Sequence, residues 1–422
     1  MLINTTYFKG LAGVLLAIVY GCSNPQTESA NSDDFLKSGV WRGVIYEQGE
    51  EMPFNFELSG DSTSLKMEII NASERIAVDE IDFFGDSIRF NMHIFDTEIV
   101  VKPSGDSLIG YYNKRYADNF ILPFKARYGQ AFRFEESTGE PAIDMSGRWE
   151  VTFTSTKGEP YPAVGEFEQD GDIVTGTFLT ETGDYRFIEG RLNGDMLAMS
   201  AFDGNHLFLF KGMLKHDSIV NGHFWNGKHT HETWVASKNP DAQLTNANEL
   251  TYIKDGYDGL SFNFPDMNGD LVSLDDEKYG GKVVLVQIFG TWCPNCMDES
   301  KYLVDWFSKN KSKGVEIIGL SYEVKDDFAY AVKRLEKVKS RLGIEYDLLV
   351  AGTSDKEEAA KTLPMLNHVL SYPTLIFIDR QGEVRKIHTG FSGPGTGRYY
   401  DAFVKEFESF TQELINEGVS AD

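Results

Sequence analysis

The sequence predicts an α/β domain in its last 170 or so residues, preceded by a duplicated antiparallel all-β region of meander or barrel-like form. Three observations carry this. Continuous apolar runs alternate with helical periods late in the chain, short alternating runs closed by Gly-Asp turns fill residues 37–238, and those turns recur at a fixed offset. With 422 residues the chain is too long for one hydrophobic core. Hydrophobic residues at 41% and aromatics at 13% are enough to fill several. The net charge of −25 argues against a nucleic-acid partner, which needs clustered Lys and Arg. Three cysteines exclude a disulfide-stapled scaffold and a four-cysteine zinc site.

Residues 1–21 hold one basic side chain, Lys9, then an apolar run from Leu11 to Tyr20. That run is too short to cross ~30 Å of hydrocarbon as a helix and suits the core of a secretory signal. It ends Val19-Tyr20-Gly21-Cys22 and turns polar. This resembles a bacterial lipoprotein signal, in which the cysteine after a small residue is lipidated; the bulky Tyr20 departs from the pattern. The alternative is an ordinary signal with an incidental cysteine. Residues 22–36 read as a flexible tether, which places the folded part outside the cytoplasm, in the cell envelope, where disulfide chemistry is permitted.

In the β-rich region, Gly60-Asp61, Gly85-Asp86 and Gly105-Asp106 match Gly171-Asp172, Gly194-Asp195 and His216-Asp217 at offsets of 109 to 111 residues. The openers Ser38-Gly39-Val40-Trp41 and Ser146-Gly147-Arg148-Trp149 are offset by 108. Two β-rich repeats follow, 37–140 and 141–238, each a meander of tight hairpins, since Gly and Asp tolerate φ > 0. Closure into a barrel or sheet packing would hide the edges. Five of the eight histidines fall within 206–231. His229 and His231 are placed on one face of a strand as a possible ligand pair, but Glu232 faces the other way. Surface histidines are the preferred reading, so no metal is assigned.

A linker over 239–255 leads to the α/β domain, 256–418. Val283 to Phe289, broken only by Gln287, reads as a strand buried on both faces; Val315–Leu320, Tyr346–Val350 and Thr374–Ile378 are similar. Phe328, Val332, Leu335 and Leu342 are expected to share one helix face, as are Phe403, Phe407, Phe410 and Leu414. Ser354 with Glu357 predicts a capping box for a helix running toward Val369. The run Thr374 to His388, turning at Asp379 to Gly382, predicts a terminal hairpin. The glycine-rich Gly390 to Gly397 lacks a Lys-Ser/Thr ending and reads as a loop into the last helix, not a phosphate cradle.

Directly after the first buried strand stands Gly290-Thr291-Trp292-Cys293-Pro294-Asn295-Cys296. At a strand-to-helix transition, a Cys-x-x-Cys sets its first cysteine at the helix N-terminus, where free N–H groups and the dipole favour thiolate and bring such pKa values to roughly 3.5–7.5. The second cysteine lies one turn on, placed to resolve a mixed disulfide. Half a zinc knuckle has no second pair to complete it, and a structural bridge over so short a loop would stabilise little.

On these residues the chain resembles TlpA/ResA-like thiol–disulfide oxidoreductases of the thioredoxin superfamily, over about residues 256–418. The resemblance rests on Trp-Cys-x-x-Cys after Val-Leu-Val-x-Ile-Phe-Gly, on Tyr372-Pro373-Thr374 ahead of a strand, and on Ile387 to Pro394. It implies a thioredoxin-like fold, Cys293 as nucleophile, Cys296 as resolver and no cofactor. It further implies that Pro373 is cis and faces the dithiol, leaving the preceding Tyr372 backbone free to pair with an extended substrate. Trp292 would shield the site. Gln287 stands where thioredoxins proper carry a buried Asp. Glu299, three residues after Cys296, matches a glutamate near the thiols of ResA-like proteins and could relay a proton; the alternative is a solvated helix glutamate. Peroxiredoxins carry Thr or Ser three residues before their reactive cysteine, and Gly290 in that place disfavours peroxidase activity. The expected partners are disulfide-containing envelope proteins, a membrane thiol donor of the DsbD/CcdA type and a lipid anchor. A rival expectation is a cell-envelope binding lipoprotein in which the β-rich half recognises a ligand or protein.

Overall fold

The computed structural model describes residues 36–417, apart from 62, 93, 138–140 and 142. The expected signal segment, Cys22 and nearly all of the tether lie outside the described residues. Among the described residues no helix is long and apolar enough to cross a membrane.

The first repeat comprises β1 (Gly39–Glu47), β2 (Glu50–Ser59), β3 (Lys66–Asn71), β4 (Glu74–Val78), β5 (Glu80–Phe84), β6 (Ser87–Asn91), β7 (Thr97–Ser104), β8 (Ser107–Lys114) and β9 (Ile121–Tyr128). They form one antiparallel sheet in the order β4-β3-β2-β1-β9-β8-β7-β6-β5. The second comprises β10 (Gly147–Thr154), β11 (Pro160–Asp170), β12 (Ile173–Thr180), β13 (Gly183–Asp184), β14 (Ile188–Asn193), β15 (Met196–Phe202), β16 (Leu207–Lys215), β17 (Ser218–Asn226) and β18 (Thr230–Lys238). Here β11 also pairs with β12, which closes the sheet into a barrel.

The two sheets share local details at matching positions. Trp41 Nε1 donates to Lys37 O at 3.0 Å, and Trp149 Nε1 donates to Met145 O at 2.9 Å, each four residues back. Gly105 takes φ 57° in its turn, and His216 takes φ 54° at the matching place. A single non-glycine residue can adopt that region when its side chain is free, so the lost glycine does not break the hairpin. One turn departs from the expectation. Gly60-Asp61 opens a longer loop in which Asp61 Oδ1 accepts from Thr63 N at 2.8 Å and Ser64 N at 3.0 Å, an Asx turn in place of a tight hairpin. The histidine pair is also corrected. His229 sits in the turn before β18, so it does not share a strand face with His231. His231 instead meets His223 across the β17–β18 pair, Nε2 to Nδ1 at 3.1 Å, and no group of three or more metal-ligating side chains occurs among the described residues.

The segment expected as a linker is packed. It carries α1 (Ala247–Leu250), capped by Asn246, whose side chain accepts from Asn248 N. Thr389 Oγ1 donates to Thr251 Oγ1 at 2.8 Å, and Asn248 Oδ1 lies 2.9 Å from His388 Nδ1. After the short pair β19 (Asn263–Pro265) and β20 (Leu271–Ser273) come β21 (Val283–Phe289), α2 (Pro294–Asn310), β22 (Val315–Glu323), α3 (Phe328–Leu342), β23 (Asp347–Thr353), α4 (Lys356–Thr362), β24 (Thr374–Ile378), β25 (Val384–Thr389) and α5 (Arg398–Asn416). The sheet order is β23-β22-β21-β24-β25, with β21, β22 and β23 parallel and β24 and β25 antiparallel. This is the mixed sheet of a thioredoxin-like domain. Every residue of β21 is buried, as its unbroken apolar run requires. The α2 and α5 helices pack ring against ring, Tyr302 and Trp306 each 5.1 Å from Phe407.

Two helices differ from expectation. The N-cap of α4 is Asp355, whose Oδ1 accepts from Glu357 N and Glu358 N, not Ser354. The helix stops at Thr362 because Leu363 precedes Pro364 and is driven out of the helical region, to φ −125°, ψ 65°. On α3 the buried face is Ala331, Leu335 and Val338, while Phe328 is 43% exposed at the first turn.

Buried apolar residues of the first repeat and of the α/β domain form one continuous cluster that also takes in Phe202, Leu207, Leu209 and Trp225 of the second repeat. The second barrel keeps a core of its own, filled by Phe153, Phe178, Phe210 and Trp234. Trp→Ala at either of the two equivalent positions, Trp41 or Trp149, should cost about 3–5 kcal/mol, read from urea denaturation. An effect at one position only would contradict the structural equivalence of the repeats.

Candidate active site: a dithiol at a helix N-terminus

The C-terminal end of β21 delivers the chain to the start of α2 through Gly290, Thr291 and Trp292. A Cβ on Gly290 would lie 2.3 Å from Trp292 Nε1 and 2.8 Å from Tyr322 O, between the partners of a 2.9 Å hydrogen bond. A Ser or Thr at that place would therefore displace the tryptophan, which gives a physical reason for the glycine. Thr291 is held from both its backbone and its side chain. Its N donates to Glu323 Oε1 at 3.0 Å and its Oγ1 to Glu323 Oε2 at 2.7 Å, while Ser321 Oγ donates to Glu323 Oε1 at 2.6 Å. Glu323 is 1% exposed and positions the motif from the end of β22. Sequence reasoning passed over it, because a glutamate ending an apolar run looks like a strand end reaching solvent.

Cys293 is the N-cap of α2, and Pro294 occupies the first turn, where its missing N–H costs nothing. Cys296 N donates to Cys293 Sγ at 3.2 Å, so the orphan amide of the helix end points at the sulfur that would carry thiolate charge. The two cysteines are joined as a disulfide, with Cα atoms 5.2 Å apart. The Tyr372–Pro373 peptide is cis, and Tyr372 O lies 3.4 Å from Cys293 Sγ. Trp292 and Tyr372 meet edge to face at 5.5 Å, and Tyr322 and Tyr372 lie tilted to each other at 5.8 Å, forming an aromatic wall beside the sulfur. The structure thus brings Cys293, Cys296, Trp292, Tyr372 and Pro373 to one place.

Glu299 faces inward, not to solvent. It is fully buried, its Oε2 accepts from Gln287 Nε2 at 2.8 Å, and its Oε1 has no partner. Burial pushes its carboxyl up to about 8, with Gln287 opposing. Gln287 is held in turn, its Oε1 accepting from Ser300 Oγ at 3.1 Å. The buried carboxyl beneath the dithiol therefore comes from the helix, and β21 supplies its amide partner.

The β-rich half reaches the same site. Asn295 Nδ2 donates to Asp184 O at 3.0 Å, Ser371 Oγ donates to Thr182 O at 2.6 Å, and Asn205 Nδ2 donates to Trp292 O at 2.7 Å. Asp184 Oδ2 accepts from Gly393 N at 2.7 Å and Oδ1 from Arg186 N at 2.6 Å; burial brings its carboxyl up to about 6. Arg186 pairs with Asp298 on α2, with Glu74 of the first repeat at 2.5 Å and with Asp203 at 3.7 Å. Burial opposes the Arg186 charge, but these carboxylates outweigh it and raise its pKa. Sequence reasoning missed Asn295, Arg186, Asp298, Asn205 and Ser371. One signal was present: Gly183-Asp184 is a Gly-Asp pair that falls outside the repeat's register of turns.

The family model that matches the chain is the AhpC/TSA family, over residues 256–387. Thiol-disulfide oxidoreductase ResA of Bacillus thuringiensis subsp. konkukian is 35% identical over 130 residues, which span 31% of this chain and 66% of that relative. Thiol-disulfide oxidoreductase ResA of Bacillus subtilis is 29% identical over 138 residues, 33% of this chain and 69% of the relative. Among solved structures, a thiol-disulfide oxidoreductase from Bacteroides fragilis is 18% identical and covers 36% of this chain and 99% of its own, with a TM-score of 0.27.

A carboxyl that titrates near 8 when folded and near 4.5 otherwise binds its proton more tightly in the native state. Its stabilising protonation is fully present below pH 4.5, declines as pH rises, and is gone above about pH 8. The melting temperature of the oxidised chain should fall across that window, by the equivalent of a few kcal/mol. Glu299→Gln should flatten that part of the profile. An unchanged profile in the variant would show that the loss comes from other groups.

Proposed function

We propose that the chain is a thiol–disulfide oxidoreductase that reduces protein disulfides outside the cytoplasm, a reading supported by the match of residues 256–387 to the AhpC/TSA family and by the likeness to the ResA oxidoreductases. The observation that carries the reading is Cys293 Sγ at the N-cap of α2, 3.4 Å from the carbonyl of the residue before cis-Pro373. The Cys293 thiolate attacks one sulfur of a substrate disulfide, forming a mixed disulfide and releasing the other sulfur as a thiolate. Cys296, once deprotonated, attacks Cys293 Sγ and releases the second substrate thiolate. Two electrons pass to the substrate, and the Cys293–Cys296 disulfide is the product on the enzyme. Glu299, one turn beyond Cys296 on α2, takes the Cys296 proton when its own carboxyl is ionised; its burial and a pKa raised toward that of a thiol support the role.

The anchor proposed is lipid on Cys22, with the folded part facing the periplasm, supported by the Leu11 to Cys22 sequence pattern. The substrates proposed are envelope proteins, and the reductant a membrane thiol donor of the DsbD/CcdA type; the motif Trp292-Cys293-Pro294-Asn295-Cys296 behind a signal-like N-terminus motivates both. The rival reading, a binding lipoprotein with an auxiliary dithiol unit, has less support. The dithiol geometry is complete, and the second barrel is filled by its own aromatic side chains rather than hollow.

Cys296→Ser should accumulate mixed disulfides through Cys293, and Cys293→Ser should abolish insulin reduction. No trapped species, together with insulin reduction that survives Cys293→Ser, would overturn the mechanism. A reduction potential near −120 mV, the strongly oxidising end of the known range, would reverse the assigned direction.

A further inference from the structure

The dithiol is covered. Cys293 is 5% exposed and Cys296 is not exposed at all, whereas a thiol that attacks protein disulfides must meet a second chain. Beside the dithiol stands the tip of the second repeat, residues 180–186. It leaves β12, turns at Glu181 and Thr182, and returns through β13, with Thr180 Oγ1 accepting from Thr182 N at 3.2 Å and donating to Gly183 O at 2.8 Å. This tip touches three elements that frame the dithiol. Thr182 O accepts from Ser371, one residue ahead of Tyr372–Pro373, and Asp184 O accepts from Asn295 between the two cysteines. Glu181 to Gly183 lie against Gly390, where a Cβ would come within 3.1 Å of Glu181 O and 3.2 Å of Gly183 N. The tip is fastened at its far end by Arg186, whose carboxylate partners include Asp298 on the cysteine-bearing helix.

The geometry points to the Thr180–Arg186 tip as an internal occupant of the substrate edge, so that a protein disulfide reaches Cys293 only when the tip withdraws. This rests on the reading of Cys293 as the attacking thiol. The tip is the access determinant of the reaction. It offers backbone carbonyls to Asn295 and Ser371, and it stands beside the cis-proline edge where an incoming extended segment of substrate would lie. A substrate that wins this place must supply equivalent acceptors for Asn295 Nδ2 and Ser371 Oγ, or leave two desolvated donors unpaired. An extended segment presenting backbone carbonyls beside its disulfide meets that demand, and a compact disulfide with no free backbone does not.

The test is made in the full chain carrying Cys22→Ser and Cys296→Ser, which leaves Cys293 as the one thiol. Labelling by a polyethylene-glycol maleimide should be about 100-fold slower in the native chain than in the urea-unfolded chain, as for a site reached by local opening. Arg186→Ala removes the fastening, and separately Gly183→Ala sets a Cβ 2.7 Å from Asn295 Nδ2. Each should speed native labelling about tenfold or more, as expected when local opening is eased, with melting curves showing that the fold is retained. Native labelling within about threefold of the unfolded rate would overturn the proposal without any variant. Protection that neither folded variant relieves would overturn it as well. Insulin reduction by the same two variants with both active-site cysteines restored separates the readings. Labelling that responds while no form reduces insulin would leave the cover standing and remove the reductase assignment. Rapid insulin reduction by the wild-type chain with unprotected Cys293 would do the reverse.

Discussion

The buried guanidinium of Arg186 constrains more of this molecule than any other single group. It is 7% exposed, and three carboxylates converge on it: Glu74 from the first repeat, Asp203 from the second and Asp298 from α2. An ion so placed costs several kcal/mol in lost hydration unless charges and hydrogen bonds replace the water. The planar fork of arginine can meet several carboxylates at once, which a lysine could not. Because the partners come from three separate parts of the chain, satisfying one charge fixes three bodies in relation to one another. Asp203 is bound further, its Oδ2 lying 2.9 Å from His206 Nδ1; although burial pushes its carboxyl up, His206 and Arg186 bring it down to about 2. Two residues beyond Asp203, Asn205 reaches the Trp292 carbonyl, so the charged cluster and the dithiol loop are joined by one short turn.

The dithiol lies near two buried glutamates whose surroundings separate their roles. Both Glu323 oxygens are engaged, by Thr291 N, Thr291 Oγ1 and Ser321 Oγ, and the carboxylate serves as an anchor for the residue that leads into Trp292-Cys293. Glu299 has one hydrogen bond and one unpartnered oxygen. Too few donors hold its charge, so it favours the protonated form and has the capacity to exchange a proton near neutral pH. A glutamine on β21 fits this arrangement, since an aspartate at 287 would set a second buried carboxyl against Glu299 with no cation beside either.

The parts of this fold legible in the sequence are those set by local pattern. The unbroken apolar run fixes β21 on both faces, the spacing of Phe403, Phe407 and Leu414 sets the buried face of α5, and Cys-Pro-x-Cys after a strand places a thiol at a helix end. What was illegible depends on partners far away in sequence. Phe328 has the spacing of a core residue, yet the first turn of α3 stands at the domain edge and leaves it in water. Ser354 has the spacing of a cap, but Asp355 follows it and its charged Oδ1 takes the Glu357 and Glu358 amides at the helix start. Asn295 reads as a spacer between two cysteines, because no local pattern reveals that its amide meets a carbonyl 111 residues earlier. The whole cover over the dithiol falls in this class.

That cover follows from how the two repeats diverge. In the first, β3 spends its outer edge on β4, pairing Met67 with Val78 through Asn71 with Glu74, so β5 has no place beside it and the sheet stays open. The opening is filled from outside, with Phe202 packed 4.5 Å from Phe54 and Ser200 Oγ bonded to Pro53 O. In the second, β14 takes the Ile173–Gly176 half of the corresponding edge and closes the barrel, leaving only Leu179 and Thr180 for β13. The segment that matches β4 therefore cannot lie flat. Tyr185 turns into the barrel, its ring 5.0 Å from Phe208 and its hydroxyl 3.2 Å from that of Tyr161, and so pins the base of the tip while Thr182 stays outside. Closing one barrel thus frees a short hairpin at its rim, and Arg186 ties that hairpin both to Glu74 at the start of β4 and to the helix that carries the cysteines. An open sheet at this place would hold the segment as an ordinary strand and leave the dithiol without its cover.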